Sequence, residues 1–259
     1  MDSPSLKSAE WKIYRAGQHF KELEAELRRY FQGNPGRFMV KPESTPDSII
    51  ASFQAKESTP ARIPLIIGDC LQNARSALDF LVWELVRANG HEPGKHNMFP
   101  VRASYDAFKE ACKRHGKKPG VLEGVCDEAT ARIEALQPYN MGQDWEQQSL
   151  FWILDIFVNI NKHRRVLLTD LVAAPMDDIQ IVDIDGELWA HGSLPTVNKD
   201  AEFGPHPVVD GQVHMNTKLV AFVCFNEAPA QGREVTTLLK RILRYVHLGI
   251  IPDFAQFFG

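Results

Sequence analysis

Apolar residues recur at helical spacing over three long stretches of the chain. In the first, Leu6, Ile13, Phe20, Leu23, Leu27 and Phe31 share a face. Ser3-Pro4 offers an N-cap with proline at the first helical position, and Gly33-Asn34-Pro35-Gly36 ends the helix. The second predicted helix follows Pro64 and runs to about Ala88. Its seam is Ile67, Leu71, Ala74, Leu78, Leu81 and Leu85, and Asn89-Gly90 closes it. Ser104 caps a short predicted helix that Gly116 ends, and residues 127–136 form another, closed by Gln137-Pro138. The third long helix, over residues 147–168, is the most apolar.

Period-two patterning marks the remainder. Residues 38–41 and 49–54 flank a Pro/Ser/Asp turn and predict a hairpin. After residue 178, two more hairpin signals follow. Residues 179–184 and 188–190 surround Asp185-Gly186, and Val208-Val209 and Val213-His214 surround Asp210-Gly211. Leu219–Phe225 is a continuous apolar run that predicts a buried strand. Val235, Leu238, Leu239, Ile242 and Val246 predict a last amphipathic helix, with Pro252 beyond it. The class is therefore α+β, a single domain over 1–259. A mainly helical bundle (3–33, 64–168 and 232–251) carries an antiparallel β-sheet drawn from 37–56 and 178–226.

Charge narrows the function classes. The 29 Lys and Arg against 33 Asp and Glu give a net charge of −4. A globally basic nucleic-acid coat is excluded, so any anion site must be local. The start of the chain shows no signal-peptide pattern, and the apolar run 150–160 is interrupted by Asp155 and Asn159 and is too short to span a bilayer. Cys70, Cys112, Cys126 and Cys224 lack close pairing. They read as reduced thiols in a cytoplasmic protein with no membrane contact.

Two polar stripes interrupt the apolar helices. On the second helix lie Asp69, Gln72, Asn73, Arg75, Ser76 and Asp79, with Arg75 and Asp79 four residues apart on one face. An exposed pair of that kind contributes only about 0.3–0.5 kcal/mol. On the third, Asp155, Asn159 and His163 follow at four-residue steps, beside Lys162 and Arg164, on a helix apolar nearly all round. A buried polar ladder needs partners, since an unpaired group costs about 1–3 kcal/mol. The Arg75–Asp79 face is the natural one. The ladder is either a satisfied network that sets helix packing or the lining of an anion pocket.

Four runs, in and between these stripes, resemble a widespread group of uncharacterised bacterial proteins. They are 67–81 (Ile-Gly-Asp-Cys-Leu-Gln-Asn-Ala-Arg-Ser-Ala-Leu-Asp-Phe-Leu), 99–101 (Phe-Pro-Val), 136–140 (Leu-Gln-Pro-Tyr-Asn) and 154–164 (Leu-Asp-Ile-Phe-Val-Asn-Ile-Asn-Lys-His-Arg). That group is similar in turn to the HEPN superfamily, whose helical bundles usually dimerise and are often metal-independent ribonucleases of toxin and phage-defence systems. Its motif is an Arg, four to six residues, then a His. The resemblance implies that Arg75 would hold the scissile phosphate, while the His position falls on Phe80, which carries no proton. His163 is then the candidate substitute. Asp79, Asn159, Lys162 and Arg164 are the candidate ligand-binding residues. The resemblance also implies a homodimer, and RNA, a nucleotide or a protein partner.

No cofactor or metal is expected. Cys112-x-x-His115, with Cys126, His91 and His96, lacks the paired spacings of a structural zinc site. Lys113, Arg114, Lys117 and Lys118, and Lys240, Arg241 and Arg244, form two further basic clusters. No P-loop, dinucleotide fingerprint, HExxH or nucleophile elbow occurs. Two readings stand: a HEPN-like ribonuclease using Arg75 and His163, or a non-enzymatic binding module of a defence or stress system. The second predicts a closed network at Arg75.

Overall fold

The structure is a computed structural model that describes residues 3–43, 48–175, 180–184, 187–191, 202–209, 212–213 and 219–258. It is α+β. In chain order the elements are α1 (Lys7–Gln32), β1 (Gly36–Pro42), β2 (Ser48–Ala55), α2 (Arg62–Ala88), α3 (Tyr105–Cys112), α4 (Asp127–Ala135), α5 (Trp145–Gln148), α6 (Leu150–His163), β3 (Thr169–Pro175), β4 (Gln180–Ile184), β5 (Glu187–His191), β6 (Glu202–Val209), β7 (Gln212–Val213), β8 (Leu219–Phe225) and α7 (Val235–Arg244).

The chain forms two compact units, each gathered from separate stretches. One comprises Met1–Glu22, Ile66–Val166 and Leu239–Gly259, the other Leu23–Leu65 and Leu167–Leu238. The first unit is helical. Ile13 of α1, the α2 seam Ile67, Leu71, Leu78 and Leu81, and Phe151 and Phe157 of α6 are buried there. Cys70 of α2 donates to the Ala16 carbonyl of α1 at 3.4 Å, so the two helices touch through small residues. Pro64 is tolerated because it lies in the first turn of α2, where its missing N–H has no partner to lose. The predicted Asn89-Gly90 stop is observed as a Schellman-type end. Gly90 has φ +77°, its N–H bonds the Arg87 carbonyl, and the His91 N–H bonds the Val86 carbonyl.

The second unit holds three antiparallel sheets among the described residues: β1-β2-β6-β7, β3-β8 and β4-β5. The single attached sheet expected from the pattern is thus divided. The hairpins β1-β2 and β4-β5 and the β6-β7 pairing stand where alternation placed them. The turn residues Asp185-Gly186 and Asp210-Gly211 lie outside the described residues. β8 pairs with β3, a strand the pattern did not predict.

Several helix boundaries also differ: α1 begins at Lys7, past the expected Ser3-Pro4 start, and α3 stops at Cys112, short of Gly116. The helix expected over 147–168 is broken at Ser149, whose extended backbone ends α5 and whose hydroxyl accepts from the Trp152 N–H to start α6. It stops at His163, not Leu168. The N–H groups of Arg164 and Arg165 both turn back to the Ile160 carbonyl. From Thr169 the chain then joins the ladder opposite Phe225. The apolar run Val166-Leu167-Leu168 prolonged the helical pattern past its true end. After α7, the chain continues through a wider helical turn (Tyr245–Ile250) and a 3₁₀ segment (Ile251–Phe257) that takes Pro252 at its start.

A close backbone approach follows α3. A Cβ on Gly120 would lie 1.9 Å from the Cys112 carbonyl oxygen. Backbone cannot yield as a side-chain tip does, so Gly120→Ala should lower unfolding free energy by about 2–3 kcal/mol in urea titration. An unchanged midpoint would contradict this packing.

Candidate functional site

Arg75 sits on the buried side of α2, where Ala74, Ala77 and Leu78 surround it in sequence, and only 9% of its surface is exposed. Its guanidinium donates in three directions. Nε reaches Asp155 Oδ1 on α6 at 3.3 Å, Nη1 reaches Asp79 Oδ1 at 2.7 Å, and Nη2 reaches the Phe99 carbonyl at 2.7 Å. The Phe99 N–H in turn donates to the same Asp79 oxygen at 2.9 Å. The Arg75–Asp79 pair therefore holds both polar groups of one buried residue's backbone. Asn159 extends the ladder, donating to Asp155 Oδ2 at 3.0 Å.

The rest of the stripe on α2 does not reach across. Asn73 and Ser76 bond the carbonyls of Asp69 and Gln72, four residues back on their own helix.

The anchoring continues along the irregular segment between α2 and α3. Gln137 donates to the Pro100 carbonyl at 2.9 Å and accepts from the Arg102 N–H at 3.0 Å. Asn97 donates to the Glu123 carbonyl at 2.9 Å and accepts from the Gly94 N–H at 2.8 Å. Buried irregular backbone has no ladder partners, so side chains must supply them. Gln137 and Asn97 were missed by sequence reasoning as members of this network. The Gln137-Pro138 step and the Phe-Pro-Val run were the visible signals, but neither shows what it bonds. A second buried carboxylate was missed as well: Glu84 accepts from Arg87 Nη1 at 2.9 and 2.8 Å and from the Ser5 N–H at 3.1 Å.

Arg75, Asp79, Asp155 and Asn159 are thus brought together, and His163 is not. It ends α6, eight residues beyond Asp155, or about 12 Å along the axis, and it is exposed. Among the described residues it makes no hydrogen bond or ion pair with Arg75, Asp79, Asp155 or Asn159. Lys162 and Arg164 are exposed beside it. Phe80 lies about 140° around α2 from Arg75. It is 38% exposed, and the Lys12 ammonium stands 5.6 Å from its ring centre. The position of the motif histidine therefore faces away from the guanidinium.

The other constellations resolve differently. Burial pushes the Cys112 thiol up to about 11, and His115 bonds Glu110 at 2.9 Å from a tight turn closed by two backbone bonds with Lys118. Among the described residues, no group of three or more His, Cys, Asp or Glu could hold a metal ion. Lys113, Lys117 and Lys118 are exposed on or beside that turn. On α7 the cluster is less open. Arg241 is partly buried, and Lys240 and Arg244 both engage other groups. No helix among the described residues is long and apolar enough to cross a membrane. No protein-family model, curated protein or solved structure matches the chain.

Removing the Arg75 guanidinium leaves two carboxylates and a buried carbonyl without their donor. Arg75→Ala should lower unfolding free energy by about 3 kcal/mol in urea titration, a figure that allows for Asp79's partial exposure. Arg75→Lys should restore less than half of that, because one ammonium cannot reproduce the three separately directed bonds of the guanidinium. Equal stability of all three proteins would show the network to be idle. At pH 8, the native Cys70 and Cys112 thiols, raised by burial to about 12 and about 11, should resist iodoacetamide and react only after denaturation, as mass spectrometry would count.

Proposed function

We propose that this chain is a non-catalytic RNA-binding module. Its arginine network is structural, and its exposed cations contact phosphate. The observation that carries the first half is the engagement of Arg75. One guanidinium is flanked by two carboxylates, so the cluster is net negative at neutral pH, and a phosphate approaching it meets repulsion. A phosphate-binding arginine needs free donors aimed at open space. Here three donors are taken and the group is enclosed. The proton-transfer half is also displaced, since Phe80 is inert and His163 lies along α6 from the guanidinium.

The second half rests on Lys162, His163 and Arg164. They are consecutive, exposed, and placed where α6 ends. Cations suit the partial negative charge of a helix C-terminus, and here the Lys162 ammonium and the Arg164 guanidinium stand open to a polyanion. Lys113, Lys117 and Lys118 offer a second exposed set. The HEPN resemblance makes RNA the favoured polyanion and a defence or stress system the favoured setting.

The homodimer that the resemblance implies has a fitting face on α1 and α2. Trp11 and Tyr14 are 70% and 67% exposed, and Phe80 and Trp83 are 38% and 40% exposed. Large apolar side chains gathered in this way mark an interaction surface more often than a solvated one. Trp11→Glu with Trp83→Glu should convert a dimer to a monomer in light scattering, and a wild-type protein that is already monomeric removes this part of the proposal.

The binding reading is tested by titrating single-stranded RNA against salt, with EDTA present. Three phosphate contacts predict a log–log slope of about −2, and Lys162→Ala and Arg164→Ala should each flatten it by about 0.7. No cleavage should appear. Cleavage in EDTA that is lost in His163→Ala would establish the ribonuclease instead. Binding that ignores both salt and these variants would remove the RNA reading.

A further inference from the structure

A cavity of about 590 Å³ opens in the second unit, well away in sequence from the arginine network. Its size is that of a small-molecule site. One wall is a single face of α1. Glu24, Leu27, Arg28, Phe31 and Gln32 follow at steps of three, four, seven and eight residues. Opposite stand Phe222 and Val223 of β8, and the third side is Glu234 and Thr236 at the start of α7. Leu27 and Val223 are buried, and Phe31 and Phe222 are half-buried. The cavity is therefore mainly apolar, with charged groups among its lining.

Those charged groups differ in availability. Both oxygens of Glu234 are already occupied. They accept from the Thr236 N–H at 2.9 Å, the Thr236 hydroxyl at 2.9 and 2.8 Å, and the Thr237 N–H at 2.6 Å, which caps α7. Glu24 and Arg28 are different. They are four residues apart with the acid first, the spacing and order that normally pair on a helix. Yet no ion pair joins them, and among the described residues neither has another partner. One carboxylate and one guanidinium thus stand unengaged at the same apolar cavity.

That combination selects the head group. A ligand bearing only an ammonium would satisfy Glu24 and be repelled by Arg28, and one bearing only a carboxylate would meet the reverse. A head carrying both charges satisfies both, and an apolar tail fills the space between Phe31 and Phe222. We infer that this cavity is a binding site for a free α-amino acid with an apolar side chain, its ammonium on Glu24 and its carboxylate on Arg28.

Isothermal titration of the full chain with three probes tests this: L-phenylalanine, 2-phenylethylamine and 3-phenylpropionate. These share the ring and differ only in the head. L-Phenylalanine should bind saturably, and each single-charge analogue at least tenfold more weakly. Glu24→Gln and Arg28→Gln should each weaken L-phenylalanine at least fivefold. Arg28 is exposed and Glu24 half-buried, and unchanged thermal midpoints would confirm that the variants fold. Absence of saturable L-phenylalanine binding, equal binding of all three probes, or indifference to both substitutions would overturn the proposal.

Discussion

The helical unit depends on satisfying the backbone of a segment that has no regular structure. Residues 89–104 run between α2 and α3, yet Phe99 and Val101 are almost wholly buried. Chain that crosses an interior in this way carries N–H and C=O groups that neither a helix nor a sheet will pair. Leaving one unpaired costs about 1–3 kcal/mol. Asp79 and Arg75 take both groups of Phe99, and Gln137 takes the next carbonyl. Arg75 is in turn tolerable in the interior because Asp79 and Asp155 neutralise it from two helices. The loop requires the arginine, and the arginine requires the α2–α6 contact.

This dependence explains which residues drew notice in the sequence. Arg75, Asp79, the Phe-Pro-Val run and the Leu-Gln-Pro run are scattered over more than sixty positions. In space they form one hydrogen-bonded set. The pairing of Arg75 with Asp79 and the ladder Asp155–Asn159 were legible, because helical periodicity assigns residues to faces. The partner at Phe99 was not legible, since it is a backbone group and leaves no residue-type signature. His163 was misplaced for a related reason. Four-residue steps put it on the same face, but eight residues also carry it about 12 Å, two turns, along the axis from the charges it was expected to join.

The same distinction governs the fold. Elements with strong local signals stand where the pattern placed them: α1, α2, the hairpins and the final helix. Apart from the break at Ser149, the largest failure falls at 164–175, where an apolar run continued the helical pattern although its strand partner lay some fifty residues away. β3 exists because β8 pairs with it. A strand specified by a distant partner cannot be read from its own residues alone, and the continuous apolar run of β8 said only that it was buried. Division into three small sheets follows likewise from pairings between distant segments.

An arginine at a given spacing can hold a phosphate or hold a fold, and the deciding quantity is the number of donors left facing open space. Catalysis of phosphate transfer relies on donors fixed in advance around the place where charge develops. In this chain the fixed donors face inward onto two aspartates and a carbonyl. The cations facing outward are long, exposed and solvated. Such groups attract a polyanion through charge and the release of counterions, but they do not hold one atom within the tolerance that chemistry needs. The rigid donors of the Arg75 network and the accessible cations at the end of α6 are thus different residues. A histidine placed at position 80 would not change this, because that position faces away from the guanidinium and the guanidinium would still be enclosed by Asp79 and Asp155.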